Sequence, residues 1–252
     1  MFDKVYSLKQ MLDEPVTEPL WLVDGLIGVG DAVTVYGSWG SGKSYLLVYL
    51  ALCLSSGKDW LGKRVRPSKV LYLDKEMPFS VANYRVNMLI NGQPNLYSDR
   101  FDYVTQPHQM VTAIMGQQLA VFAREYDVVI IDSLRSFLTG SENVAQDIRA
   151  FWNALLPLKR AGKTVILTHH MNKDNPNMSM SLANRASGST DVCAGSDTVV
   201  AIEKIIDRSN LMTSKISQIK GRWDSKLPPF TAKAEWISKE WSRYSLGSRP
   251  GF

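Results

Sequence analysis

A chain of 252 residues with 45% apolar content carries enough hydrophobic material for one domain of α/β size, which excludes wholesale disorder. Its formal charge of +5 is too small an excess to require a nucleic-acid partner, although Lys and Arg clearly outnumber Asp and Glu past position 203. Cys53 and Cys193 fit no metal spacing, and the start MFDKVYSLKQM lacks the apolar run of a signal peptide, so the expectation is a cytoplasmic protein with two reduced thiols.

Along the chain, residues 1–20 read as an N-terminal segment or linker, 21–246 as one domain and 247–252 as a tail. Val33–Tyr36 is β-branched and aromatic, as a buried strand should be. Ser44–Ser56 is apolar on nearly every face, which predicts a helix buried inside the domain and too short to span a membrane. Strands follow at Val70–Leu73, Phe101–Val104 (weaker), Val128–Ile131, Val165–Thr168 and Val199–Ile202. Helices are expected at Ser80–Ile90, Gln117–Tyr126 and Val144–Arg160, the last opened by an Asn143/Gln146 capping box. Strands alternating with helices imply an α/β fold with a mostly parallel sheet covered on both faces. After Asp197 the helices stop, and Thr198–Lys204, Met212–Lys220 and Thr231–Ile237 should extend the sheet edge as antiparallel strands. Met171–Ser196 shows no period, which makes it a long polar loop at the carboxyl edge, where ligands bind in such sheets.

Between the first strand and the first long helix lies Gly37-Ser38-Trp39-Gly40-Ser41-Gly42-Lys43-Ser44, the G-x-x-x-x-G-K-[ST] pattern of a phosphate-cradling loop. Its glycines let consecutive N–H groups point at phosphate oxygens. Lys43 supplies a point charge for the β- and γ-phosphates and Ser44 a hydroxyl for Mg²⁺; the binding segment runs from Gly37 through Tyr45. Four apolar residues ending in Asp132 give a carboxylate at a strand's carboxyl end, placed to hold Mg²⁺. Asp74 and Glu76 lie two apart, so both face one way if the strand persists, and a carboxylate there can deprotonate the attacking water. His169 and His170 are adjacent and face opposite ways, which argues against a chelated metal and leaves one imidazole to meet the γ-phosphate. His108 is isolated. Asn172-Lys173-Asp174 lacks the spacer of the guanine-selective motif, so ATP is the expected nucleotide.

With these residues in view, the chain resembles the RecA-like P-loop ATPases, specifically hexameric replicative DNA helicases of the RepA and DnaB type, over about Trp21 to Phe230. Trp21–Ile27 looks like the lead-in to the phosphate loop. The resemblance singles out Glu76 as the catalytic glutamate and His170 as the γ-phosphate sensor. Arg185-Ala186-Ser187-Gly188-Ser189 is similar to a segment near the central channel, which implies DNA contacts by Arg185, with Lys173 a second candidate in the same loop. Lys220-Gly221-Arg222 resembles the Lys-x-Arg pair that reaches a neighbouring subunit's ATP site, and two same-face cations on one strand fit that reading. The resemblance implies ATP and Mg²⁺ as cofactors, a hexameric ring with sites at subunit interfaces, single-stranded DNA as partner and no membrane association. A filament-forming recombinase and a protein-remodelling ATPase that never touches DNA stay open beside the helicase.

Overall fold

The computed structural model describes residues 5–15, 17–107, 111–170, 191–208, 211–223, 227–236 and 242–246. A short helix α1 (Leu8–Asp13) precedes a small hairpin of β1 (Trp21–Val23) and β2 (Ile27–Gly28). Then follow β3 (Ala32–Gly37), α2 (Lys43–Ser56), β4 (Val70–Asp74), α3 (Phe79–Gly92), β5 (Phe101–Thr105) and α4 (Ala113–Phe122). The second half contains β6 (Val128–Asp132), α5 (Leu134–Phe137), α6 (Ala145–Arg160), β7 (Thr164–His170) and α7 (Asp191–Ala194). It closes with β8 (Thr198–Arg208), β9 (Leu211–Lys220), β10 (Phe230–Trp236) and β11 (Ser242–Leu246).

One nine-stranded sheet runs in the order β11-β10-β9-β8-β3-β7-β6-β4-β5. From β8 to β5 every neighbouring pair is parallel, while β9, β10 and β11 continue the sheet antiparallel. The P-loop α/β class read from the sequence is therefore the architecture observed. Parallel strands read as unbroken apolar runs because both faces are covered. In β6, Val128 and Ile130 join the core under α2, whereas Val129 and Ile131 join the core under α4 and α6. Leu71 and Tyr72 of β4 divide the same way, as the twofold side-chain period of a strand requires.

The parallel register aligns Gly37 with His170 and Asp74 with Asp132, so the last residues of β3, β4, β6 and β7 share one edge. The antiparallel extension lies behind the residues that follow β3. A Cβ on Gly37 would run into the Ile202 carbonyl, and one on Gly42 into the Met212 side chain. Ser214 Oγ donates to the Ser41 carbonyl at 3.2 Å, and Tyr244 stacks on Tyr49 with ring centroids 4.8 Å apart.

Several expected elements differ in detail. Helix α4 starts earlier than Gln117, because Thr112 accepts the Met115 N–H as an N-cap, and Ala123–Glu125 tighten into a 3₁₀ turn. The Asn143/Gln146 capping box does not form. Val144 occupies the cap position without a side-chain bond, and Asp147 Oδ2 accepts the Ser141 N–H instead. Strand β11 has no counterpart in the sequence expectation. The loop expected at Met171–Ser196 contains α7, while residues 171–190 lie outside the described residues, as does His108.

Ahead of the sheet, α1 is capped by a Ser7/Gln10 box yet buries none of its residues. Leu8, Met11 and Leu12 form an i, i+3, i+4 stripe that stays open to solvent.

Candidate active site

The turn after β3 has the backbone a phosphate cradle needs. Gly40 and Gly42 take φ values of +70° and +82°, which a residue with a Cβ adopts only under strain. Gly42 is also the N-cap of α2, so the first N–H groups of a fourteen-residue helix open onto the turn. Lys43 folds back over it, its Nζ donating to the carbonyls of Gly37 at 2.8 Å and Ser38 at 2.9 Å. Only 8% of this lysine is exposed. Burial lowers its pKa from 10.5 to about 8, against the opposing pull of Asp132 and Glu76.

Two hydroxyls fix Asp132 at the end of β6. Tyr72 Oη donates to Oδ2 at 2.7 Å and Thr168 Oγ1 to Oδ1 at 2.5 Å. Both donors come from neighbouring strands, so sheet register sets the carboxylate's direction. Tyr72 is locked in turn by stacking on Tyr103, with centroids 4.8 Å apart and planes 11° from parallel.

Asp74 and Glu76 do not share a face, because β4 ends at Asp74. Asp74 turns inward, taking the Tyr103 hydroxyl at 2.6 Å and the N–H groups of Glu76 and Met77 at 2.9 Å each; its role is to close the bend. Glu76 extends to the other side, where Ser133 Oγ and Ser136 Oγ both donate to its Oε1, at 2.7 and 2.5 Å. Burial pushes the Glu76 carboxyl up, but the hydroxyls of Ser136 and Ser133, with His170 and Lys43 beyond them, leave it below the usual glutamate value. His170 is lowered by burial and by Lys43, which favours a neutral imidazole near neutral pH. His169 is wholly buried on the opposite face of the strand, as their adjacency predicts.

These groups converge on a cavity of about 310 Å³, within the range for small-ligand sites. Its walls include Trp39, Gly40, Gly42, Lys43, Ser44, Tyr45, Glu76, Arg85, Asp132, Ser133, Thr168 and His170. Trp39 stands at 88% exposure in this wall, while Gly37, Ser38 and Ser41 belong to the same loop without lining the cavity. Among the described residues no cluster of three or more His, Cys, Asp or Glu side chains is built to cage a metal. A Mg²⁺ ion needs no such cage, since it takes one or two protein oxygens and completes its shell with phosphates and water. Ser44 and Asp132 line the same cavity as Lys43, so the residues present fit Mg²⁺ bound with a nucleotide.

Lys220 and Arg222 are not two same-face cations of one strand. Strand β9 ends at Lys220, whose Nζ donates to the Ser196 carbonyl at 2.6 Å. Arg222 pairs with Asp197 at 2.5 Å and lies 3.7 Å from Asp31. Both cations are satisfied within the chain. They sit beside the first residues of β3 and β8, about 20 Å from the phosphate loop at the rise of a strand. Arg185 and Lys173 lie outside the described residues.

Five contributors escaped sequence reasoning: Tyr72, Thr168, Ser133, Ser136 and Arg85. Thr168 immediately precedes the histidine pair and Ser133 immediately follows Asp132, so adjacency to a motif was a usable signal. Arg85 had none. It comes from the middle of α3, and its Nη1 is buried in the cavity wall without a hydrogen-bond partner among the described residues.

A family model described as the AAA domain matches residues 6–176. The match covers α1, the phosphate loop and every cavity-lining residue named above. No curated protein matches the chain. No helix among the described residues is long and apolar enough to cross a membrane.

Proposed function

The chain belongs to the AAA domain family of P-loop ATPases, and on that premise we propose that it is an ATP-hydrolysing RecA-like motor, a hexameric DNA helicase or single-stranded-DNA translocase. One observation carries the hydrolytic part. Lys43 is a nearly dry cation, bonded among the described residues only to loop carbonyls, in a ligand-sized cavity that it shares with Asp132 and Glu76. Asp132 and Glu76 act on this ammonium only through space, with no direct hydrogen bond to it among the described residues, and a triphosphate supplies an anion that can bond it directly.

The residues divide the work by position. Loop amides from Gly37 to Ser44 and the α2 N-terminus cradle phosphate oxygens, and Lys43 neutralises the reacting ones. Ser44 and Asp132 would hold Mg²⁺, which supplies charge neutralisation across the β- and γ-phosphates. Glu76 accepts the proton of the attacking water, and neutral His170 donates a hydrogen bond toward the γ-phosphate. Lys43→Ala should lose both binding and turnover, whereas Glu76→Gln should keep nucleotide bound and lose turnover. Wild-type hydrolysis by Glu76→Gln would falsify the base assignment.

Assembly and DNA engagement rest on separate supports. A six-residue helix with an open Leu8/Met11/Leu12 stripe is too short to hold itself together, since isolated helices need about 12–15 residues. A neighbouring subunit would cover it. Lys220 and Arg222 are too far from their own phosphate loop to serve it, so any catalytic role for them lies in trans and requires Arg222 to leave Asp197. Mixing Lys43→Ala with Arg222→Ala protein should then restore activity that neither shows alone. For DNA, the support is the sequence position of Arg185 and Lys173, in the segment that follows β7 along the chain. Neutralising both should flatten the salt dependence of single-strand binding by about 1.4 in log–log slope. Images of the protein with ATP and single-stranded DNA should show closed rings. Filaments would indicate a recombinase, and an unchanged salt slope with unchanged DNA affinity a protein-remodelling ATPase.

A further inference from the structure

Glu76 is gripped by two hydroxyls that the phosphate-loop pattern does not specify. It lies past the end of β4 in a bend, where its own N–H is given to Asp74 Oδ1, so the backbone alone leaves its side chain several directions. Ser133 follows directly on Asp132, and Ser136 comes three residues later in α5, a spacing that puts the two hydroxyls on one side of the turn. Both donate to the same oxygen, Oε1, at 2.7 and 2.5 Å. Their own oxygens lie 3.0 Å apart, yet each hydroxyl has a single proton. With both protons committed to Glu76, the serine–serine approach carries no bond between them. The arrangement holds because the acceptor is ionised, and a hydrogen bond to a carboxylate is about twice as strong as one between neutral groups. Oε2 has no hydrogen-bond partner among the described residues. Glu76 and Ser133 line the cavity together with Lys43 and His170.

We infer that Ser133 and Ser136 are positioning residues for the water-activating step, clamping Glu76 by one carboxylate oxygen so that the other is free to take the proton. The inference rests on the ATPase reading above and deepens it. The clamp fixes both the direction of the carboxylate and its protonation. Two donors on Oε1 stabilise the anion, so Glu76 stays ionised at pH values where an unassisted glutamate in its place would begin to protonate. The cost is a weaker base, offset by its being charged and aimed before the substrate arrives. In the balanced step, a proton passes from water to Oε2 as the water oxygen bonds to the γ-phosphorus and the bond from phosphorus to the β–γ bridging oxygen breaks, leaving ADP and phosphate.

The test compares full-chain wild type, the Ser133→Ala, Ser136→Ala double variant, Ser136→Ala alone and Ser136→Thr. Steady-state ATP hydrolysis is followed from about pH 5 to about pH 9, and ATP affinity is measured separately by calorimetry. The double variant should lose about 10–100-fold in kcat, a part of the roughly 10²–10⁴-fold that a positioned general base contributes, with KM for ATP little changed. The acid limb of its kcat profile should move to higher pH, because the carboxylate has lost the donors that favoured its charge. Ser136→Ala should show both effects in smaller measure, and Ser136→Thr, which keeps the hydroxyl, should stay near wild type. Unchanged kcat and an unmoved acid limb in the double variant overturn the inference. So does a rise in kcat, which would mean that the serines park Glu76 away from water. If Glu76→Gln is itself fully active, the failure belongs to the assignment of the base and not to the clamp.

Discussion

Lys43→Met should change how stability depends on pH, and the size of the change follows from the lysine's surroundings. Burial holds the Lys43 ammonium at about 8 in the folded protein, against 10.5 when solvated. A cation with a lowered folded pKa leaves the unfolded chain holding the extra proton between those two values. Stability should therefore rise as pH climbs from about 8 toward 10.5, and this contribution should be flat below that window. Integrated to pH 10, it amounts to about 2–3 kcal/mol at roughly 1.4 kcal/mol per pH unit. With 8% of the residue exposed, solvent screening discounts this little. Other groups titrate there with the opposite slope, such as Cys53, whose thiol burial pushes up to about 12. The informative quantity is thus the difference between wild type and Lys43→Met. Urea unfolding without nucleotide, at intervals from about pH 7 to about pH 10, should show wild type gaining 2–3 kcal/mol on the variant. Saturating Mg-ADP should shrink that gain, since phosphate charge restores the ammonium. Parallel curves for the two proteins without nucleotide would refute the claim that Lys43 waits as a desolvated cation.

Three further outcomes can be checked directly. Arg85→Ala should weaken ATP and ADP alike, by about 10-fold or more in a titration, because the guanidinium's electrostatic neighbours are Tyr45, Tyr103 and Tyr244 and not the reacting end of the cavity; equal affinities in variant and wild type would remove Arg85 from the site. Tyr72→Phe and Thr168→Val should each raise the Mg²⁺ concentration needed for half-maximal ATPase by about 10–100-fold, since each strips one of the two donors that aim Asp132; overlapping Mg²⁺ titrations would contradict this. Gly116→Ala should cost about 1–3 kcal/mol in urea unfolding, because its Cβ would strike the Ala154 carbonyl where α4 crosses α6; nucleotide affinity at low urea should be unchanged.

What could be read from the sequence follows from how local each cause is. Strands β3, β4, β6 and β7 were legible because burial on both faces writes a continuous apolar run. The phosphate loop was legible because its glycines, lysine and serine are contiguous. Glu76 was found by resemblance, but its partners were not, since the bend that separates it from Asp74 depends on Tyr103 of the neighbouring strand. The partners of Arg222 within the chain were hidden for a similar reason. Its anions, Asp31 and Asp197, precede two other strands and meet it only when β8 and β9 pair beside β3. The capping box at Asn143 failed because a nearer solution existed: Ser141 Oγ already accepts the Asn143 N–H that Gln146 would have taken. Strand β11 is short and half polar, and only pairing with β10 makes it a strand.

The contacts of β8 to β11 with the phosphate loop have a consequence for a chain still being made. Gly37 and Gly42 press against Ile202 and Met212, and Ser41 is held by Ser214. The glycines, lysine and serine of the motif leave the ribosome early, yet the floor beneath them is encoded some 170 residues later. At a synthesis rate of about 5–20 residues per second, that interval is on the order of ten seconds or more. During it the motif is present as sequence but lacks the surface that gives it shape. A nascent chain would thus be unable to take up nucleotide, and ATP binding would mark the moment the last antiparallel strands dock.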